Sequence, residues 1–163
     1  AGMVLETVLL LRFQIKNGIL FQDVGILLTS FMIGLVLGAV AMGYGRKSLS
    51  RWVGTGIFTG FLLLSGFIGL AMHFDYSASL PATFLLLLLT GFLVAGAFSY
   101  AGLRQPADQG KAVAPLYAAD LIGGGLGSLL ASFIFVPVAG LSVSVVLLIP
   151  LAVLSLLLMR EGT

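Results

Sequence analysis

Charged side chains fall in clusters along this chain, and long apolar stretches run between the clusters. No Asp, Glu, Lys or Arg occurs in 24–45, 52–74, 76–103 or 121–159. Each run reaches the roughly 20 residues a helix needs to cross the hydrocarbon core of a bilayer. The last is long enough for two crossings, and Pro137 and Gly140 interrupt it with a turn signal. The pattern predicts about six helices, at about 1–18, 23–44, 53–73, 81–102, 115–136 and 142–159. Pro81 and Pro115 suit the first turns of the fourth and fifth, where a missing amide proton costs nothing. The first segment, AGMVLETVLLLRF and then Gln14, Lys16 and Asn17, is short for a full span. It reads as a truncated helix that begins upstream. The expected fold is all-α: a polytopic membrane helical bundle in one domain, 1–163.

Composition supports lipid as the main solvent. Charged residues make up 9% of the chain and hydrophobic ones 60%, where an ordinary soluble domain is about 25% charged. The placement of the basic residues then sets an orientation. With both ends cytoplasmic, the inner side holds Arg46, Lys47, Arg51, Arg104, Lys111 and Arg160, and the outer side holds Lys16 with Arg12. That asymmetry is what the positive-inside rule expects, with Arg46, Lys47 and Arg51 as cytoplasmic anchors. Tyr44, Trp52, Tyr100 and Tyr117 fall at inner helix ends and Tyr76 at an outer one, where rings with a polar tip prefer to sit. The expected location is a bacterial inner membrane.

Glycine, 22 residues of 163, is concentrated inside the apolar helices. Small residues four apart form a smooth strip on which a second helix can lie at close range. The second helix carries Ser30, Gly34 and Gly38, the fourth Gly91, Ala95 and Ser99, and the third Ser65 and Gly69. The fifth carries Ala119, Gly123, Gly127 and Ala131, with Gly124, Ser128 and Ser132 beside them. These strips are expected to pack helix on helix, within the chain or against a partner subunit.

Candidate chemistry is sparse. With no Cys, thiolate metal sites, disulfides and cysteine nucleophiles are excluded. LIGGGLGSLLA at 121–131 superficially resembles a dinucleotide-binding loop, but its glycines lie within an apolar helix and no acid follows before Glu161. His73 and Asp75 read as outer-loop polarity. No cofactor is expected, and eight basic residues make nucleic acid an improbable partner. Glu6, Gln14 and Asp120 are the buried polar candidates. A carboxylate at membrane depth, as expected for Glu6, has to be paired, protonated or functional. Asp120, a turn into the fifth helix, benefits there from the positive end of the helix dipole.

Two blocks carry a resemblance. In LETVLLLRFQIKNGILFQDVGILLTSFMIGLVLGA, the residues Glu6, Phe13, Gln14, Gly18, Phe31, Met32, Gly34, Leu35, Leu37 and Gly38 match. In YAADLIGGGLGSLLASFIFVPVAGL, Tyr117, Ala118, Gly123, Gly127, Pro137, Gly140 and Leu141 match. The chain resembles the membrane region of membrane-bound spermidine synthase-like proteins, itself distantly similar to half of a major facilitator transporter. GAVAMGYGRK at 38–47 is similar to the loop signature of those transporters at Gly38, Ala41, Gly45, Arg46 and Lys47. Met42 and Gly43 replace its usual Asp-Arg pair, so the charge relay proposed for that motif has no counterpart here.

In that family the helices adjoin a soluble aminopropyltransferase-like domain of Rossmann type. The helices occupy this chain, so none of that domain's catalytic residues is carried over. The expected role is a non-catalytic membrane module, an anchor or accessory subunit held among membrane lipid and other integral membrane subunits, or self-associated. The alternatives are a half-transporter for a polyamine or small hydrophobic solute, and the membrane fragment of a fused enzyme.

Overall fold

A computed structural model describes residues 2–18, 21–44, 51–73, 79–103 and 109–138, together with Gly140 and Pro150. They form α1 (Gly2–Asn17), α2 (Phe21–Tyr44), α3 (Arg51–His73), α4 (Leu80–Leu103) and α5 (Gln109–Leu130), which continues into a π-helical turn at Ala131–Phe135. There is no strand among the described residues. Among the described residues, four stretches are long and apolar enough to cross a membrane: Phe21–Tyr44, Val53–Leu70, Leu80–Gly102 and Tyr117–Val138. In hydrocarbon no water is available to backbone N–H and C=O groups, and a helix satisfies them within one segment. The chain is thus an all-helical protein of integral-membrane type.

The centre of the bundle is α4, which touches α1, α2, α3 and α5. Its broadest contact by far is with α2. The two run parallel: Gly34 lies against Leu88, and Gly38 against Phe92 and Ala95. Against α3 the direction reverses, with Gly54 beside Tyr100 and Gly60 beside Leu93. Successive helices α2 and α3 make little or no contact with each other, and each lies on α4 instead.

The shortest of the five helices, α1, is also deeply set. In α1, Val4, Leu5, Val8, Leu9 and Phe13 are all buried, on one face at four-residue spacing. They join Leu27, Phe31, Phe61, Leu64, Ile68, Leu86, Leu87 and Ala131 in one core cluster. Gly18 ends α1 with φ 81°, a left-handed conformation that glycine adopts without a Cβ clash. The outer surface is as apolar as the core. Phe21, Val36, Leu63, Phe133 and Val138 are each more than 60% exposed, as expected of side chains whose solvent is acyl chain.

Two boundaries differ from the sequence expectation. α5 starts at Gln109, so Pro115 stands inside the helix, where it withholds one helical hydrogen bond. The apolar tract also does not stop at Pro137. Before it the helix widens, and the Val136 N–H donates to the carbonyl of Ala131, five residues back. A proline has no amide to offer the ladder, and a π-turn is one way a helix adjusts its register locally. Gly140 follows with φ 79°. The sixth expected helix, at about 142–159, lies outside the described residues apart from Pro150.

Candidate functional site

The tightest geometry among the described residues is the seam between α2 and α4. A Cβ added to Gly34 would collide with the carbonyl oxygen of Leu88, and one added to Gly38 with that of Phe92. The same position on Gly38 is 3.0 Å from the Ala95 Cβ. From the other side, a Cβ on Gly91 would strike the Phe31 carbonyl and lie 3.1 Å from the Leu35 amide nitrogen. The two backbones therefore touch, and three glycines are what allows it. Glycine lets main-chain carbonyls approach Cα hydrogens, a weak attraction that matters where lipid competes with packing on equal terms.

α5 uses its strip differently. Ala131 is fully buried, and a Cβ on Gly127 would meet Val4 of α1 at 3.4 Å. Gly124 lies beside Met3. Nearer the start of the same helix, Ala119 is exposed, and among the described residues nothing lies within 4 Å of a Cβ on Gly123. Only 6% of the Tyr117–Val138 span is buried, against 28% to 39% in the other three.

Three buried hydroxyls bond within their own helices. Ser30 donates to the Leu27 carbonyl at 2.6 Å, Ser65 to Phe61 at 2.8 Å, and Thr90 to Leu86 at 2.7 Å. Each bond stays within its own helix, as expected of Ser and Thr in a span where no water reaches. On α5, Ser132 likewise donates to Ser128 at 2.7 Å. These groups stabilise helices rather than line a polar path. An open groove of about 590 Å³ between α3 and α4 is lined by Gly, Leu and Phe alone, among them Gly60, Phe67, Leu89 and Phe92. It offers apolar contact and no catalytic group.

The ionisable candidates do not converge. Glu6 is half-buried on the flank of the α1 core face, and Gln14 is half-buried two turns on. Asp120 is exposed on α5, about three turns from its start at Gln109. The helix-dipole explanation given for it fails, because that field fades beyond the first turn. Arg51 begins α3, while Arg46 and Lys47 lie outside the described residues. No group of three or more His, Asp or Glu that could hold a metal occurs among the described residues.

Two residues missed by the sequence reading stand out. Arg12, expected at the outer surface, is only 7% exposed. Its register with Val4 and Val8, eight and four residues back, was the available signal. Tyr100, expected as an interfacial ring, is 5% exposed and lies over Gly54, where a Cβ would come within 2.7 Å of its hydroxyl oxygen. Glycine there makes room for the ring. Compared with known protein families, curated proteins and solved structures, the chain matches none.

Proposed function

We propose that this chain is a non-catalytic membrane module, an anchor or accessory subunit that packs against other integral membrane proteins. The observation that carries the reading is the division of α5. Gly127 and Ala131 are used against α1 and the core, while Ala119 and Gly123 continue the same strip, Ala119 exposed and Gly123 with no close neighbour among the described residues. A close-approach surface of this kind gains little against flexible acyl chains and more against a second helix. In this reading the relation to spermidine synthase-like membrane regions is one of scaffold, in an inner membrane with both ends cytoplasmic.

The absence of Cys makes the test clean. Single cysteines at Ala119 and Gly123 should form crosslinked adducts with a neighbouring membrane subunit in native membranes, and a cysteine at the lipid-facing Val36 should not. A chain that leaves mild detergent as a bare monomer, with no adduct from either position, contradicts the reading. A polyamine half-transporter is the weaker alternative. A polycation path calls for several acids facing one cavity, and the groove between α3 and α4 is lined by Gly, Leu and Phe.

A further inference from the structure

We propose that the π-turn at Ala131–Phe135 is a register device built into α5. It holds one residue more than an α-helix needs, and so selects which side chains the end of the helix turns to the core. The inference concerns the packing of this chain on itself, so it stands or falls independently of any accessory role.

Helical periodicity sets the contrast. Ala131 is fully buried. In an unbroken α-helix the residues three, four and seven positions further along share its face, which would turn Ile134, Phe135 and Val138 inward. Five steps of an α-helix overshoot a full turn by about 140°, so Val136 would point away from the core. The structure shows a different set. Ile134 is 49% exposed and Val138 82%. Phe135 is half-buried, and Val136 packs against the core cluster that includes Ala131.

One hydrogen bond accounts for the shift. The Val136 N–H donates to the Ala131 carbonyl, five residues back rather than four. That bond closes a turn around one extra residue and sets Val136 above Ala131 on the same side of the helix. Side-chain polarity does not choose between the two registers, because Ile134, Phe135, Val136 and Val138 are all apolar. The backbone chooses. In a plain α-helix the Pro137 ring would press on the Phe133 carbonyl four residues back, and the wider turn relieves that clash. α1 packs against this turn, so the register decides which side chains close on the buried face of α1.

An extra residue can be taken out. Phe133 is 75% exposed, and deleting it leaves Val136 four positions after Ala131 and Phe135 three. Both spacings keep a residue on the Ala131 face of a plain α-helix. Ile134 and Val138 then fall two and six positions on, and both stay outward. A one-residue deletion here should therefore reproduce the native inward face, which a deletion in an unbroken helix cannot do.

Spin labels on single cysteines, with the full chain in vesicles, read the register directly. Labels at Phe135 and Val136 should be motionally restricted and poorly reached by oxygen, and labels at Ile134 and Val138 mobile and readily reached. That ranking should survive deletion of Phe133, with helicity undiminished. Combining the deletion with Pro137→Ala removes any remaining strain from the proline ring and should leave the ranking the same. Deletion of Val36, an exposed residue of α2, should instead abolish folding, because it carries Gly38 away from the Phe92 carbonyl. Restricted labels at Ile134 and Val138 in the unaltered chain would mean a plain α register and overturn the proposal. So would a loss of folding on deletion of Phe133 that Pro137→Ala does not repair, or a Val36 deletion tolerated equally well.

Discussion

α2 and α5 carry similar strips of small residues, yet one is closed by a neighbouring backbone and the other is half open. On α2, Gly34 and Gly38 lie against main-chain atoms of Leu88 and Phe92, and Gly91 answers from α4. Among the described residues, Gly127 on α5 meets a single side-chain atom of Val4, and Gly123 and Gly125 meet nothing within 4 Å. The difference teaches that spacing alone does not define an interface. A strip becomes a seam when the facing helix also offers a small residue at the crossing. α4 does so with Gly91 and Ala95, whereas α1 turns Met3 and Val4 toward α5. Larger side chains hold α1 and α5 further apart. The same contrast separates a permanent contact from a surface with capacity to spare.

Substitutions can break this comparison or sharpen it. The largest effect is expected at the closed seam. Gly34→Leu forces α2 off the Leu88 carbonyl and should lower unfolding stability in detergent by about 3 kcal/mol, the upper range for overpacking. Next comes the buried face of α1, where Leu9→Ala leaves a cavity and should cost about 2 kcal/mol by the same measurement. Thr90→Val removes a hydroxyl that bonds only its own helix, so the loss should be about 0.6 kcal/mol or less. The smallest change in the isolated chain is expected at the open strip. Gly123→Leu should alter stability by less than about 0.5 kcal/mol while abolishing the crosslink from a cysteine at Ala119. If Gly123→Leu proved as damaging as Gly34→Leu, the two strips would be equivalent and the contrast would fail.

Helical class and membrane character were legible in the sequence, because a charge-free run of twenty residues has few other uses. The four-residue spacing of Gly34 with Gly38 and of Gly91 with Ala95 was legible too. Which strips face each other was not, since that depends on how α4 is surrounded and no local pattern encodes it. Arg12 illustrates a second limit. Its charge argues for an interface, while its register places it on the same face as Val4 and Val8, and packing prevailed over charge. Asp120 illustrates a third. Pro115 is a strong sign of a helix start, but α5 begins at Gln109, and six extra residues move the acid out of the first turn. The broad reading rested on averages over long runs. The finer one turned on single positions, where two physical preferences compete.

The central claim is that acyl chains surround this bundle while α4 holds its interior together. The most direct measurement is the collision rate of a nitroxide spin label with oxygen and with a water-soluble nickel chelate, in vesicles. Single cysteines at Val36, Leu63 and Phe133, all strongly exposed, provide the attachment points. The account predicts that oxygen, which concentrates in hydrocarbon, relaxes all three labels far more than nickel does, with the reverse at Tyr44. Nickel access equal to or above oxygen access at the three mid-span positions would mean that water surrounds these faces, and would contradict the account.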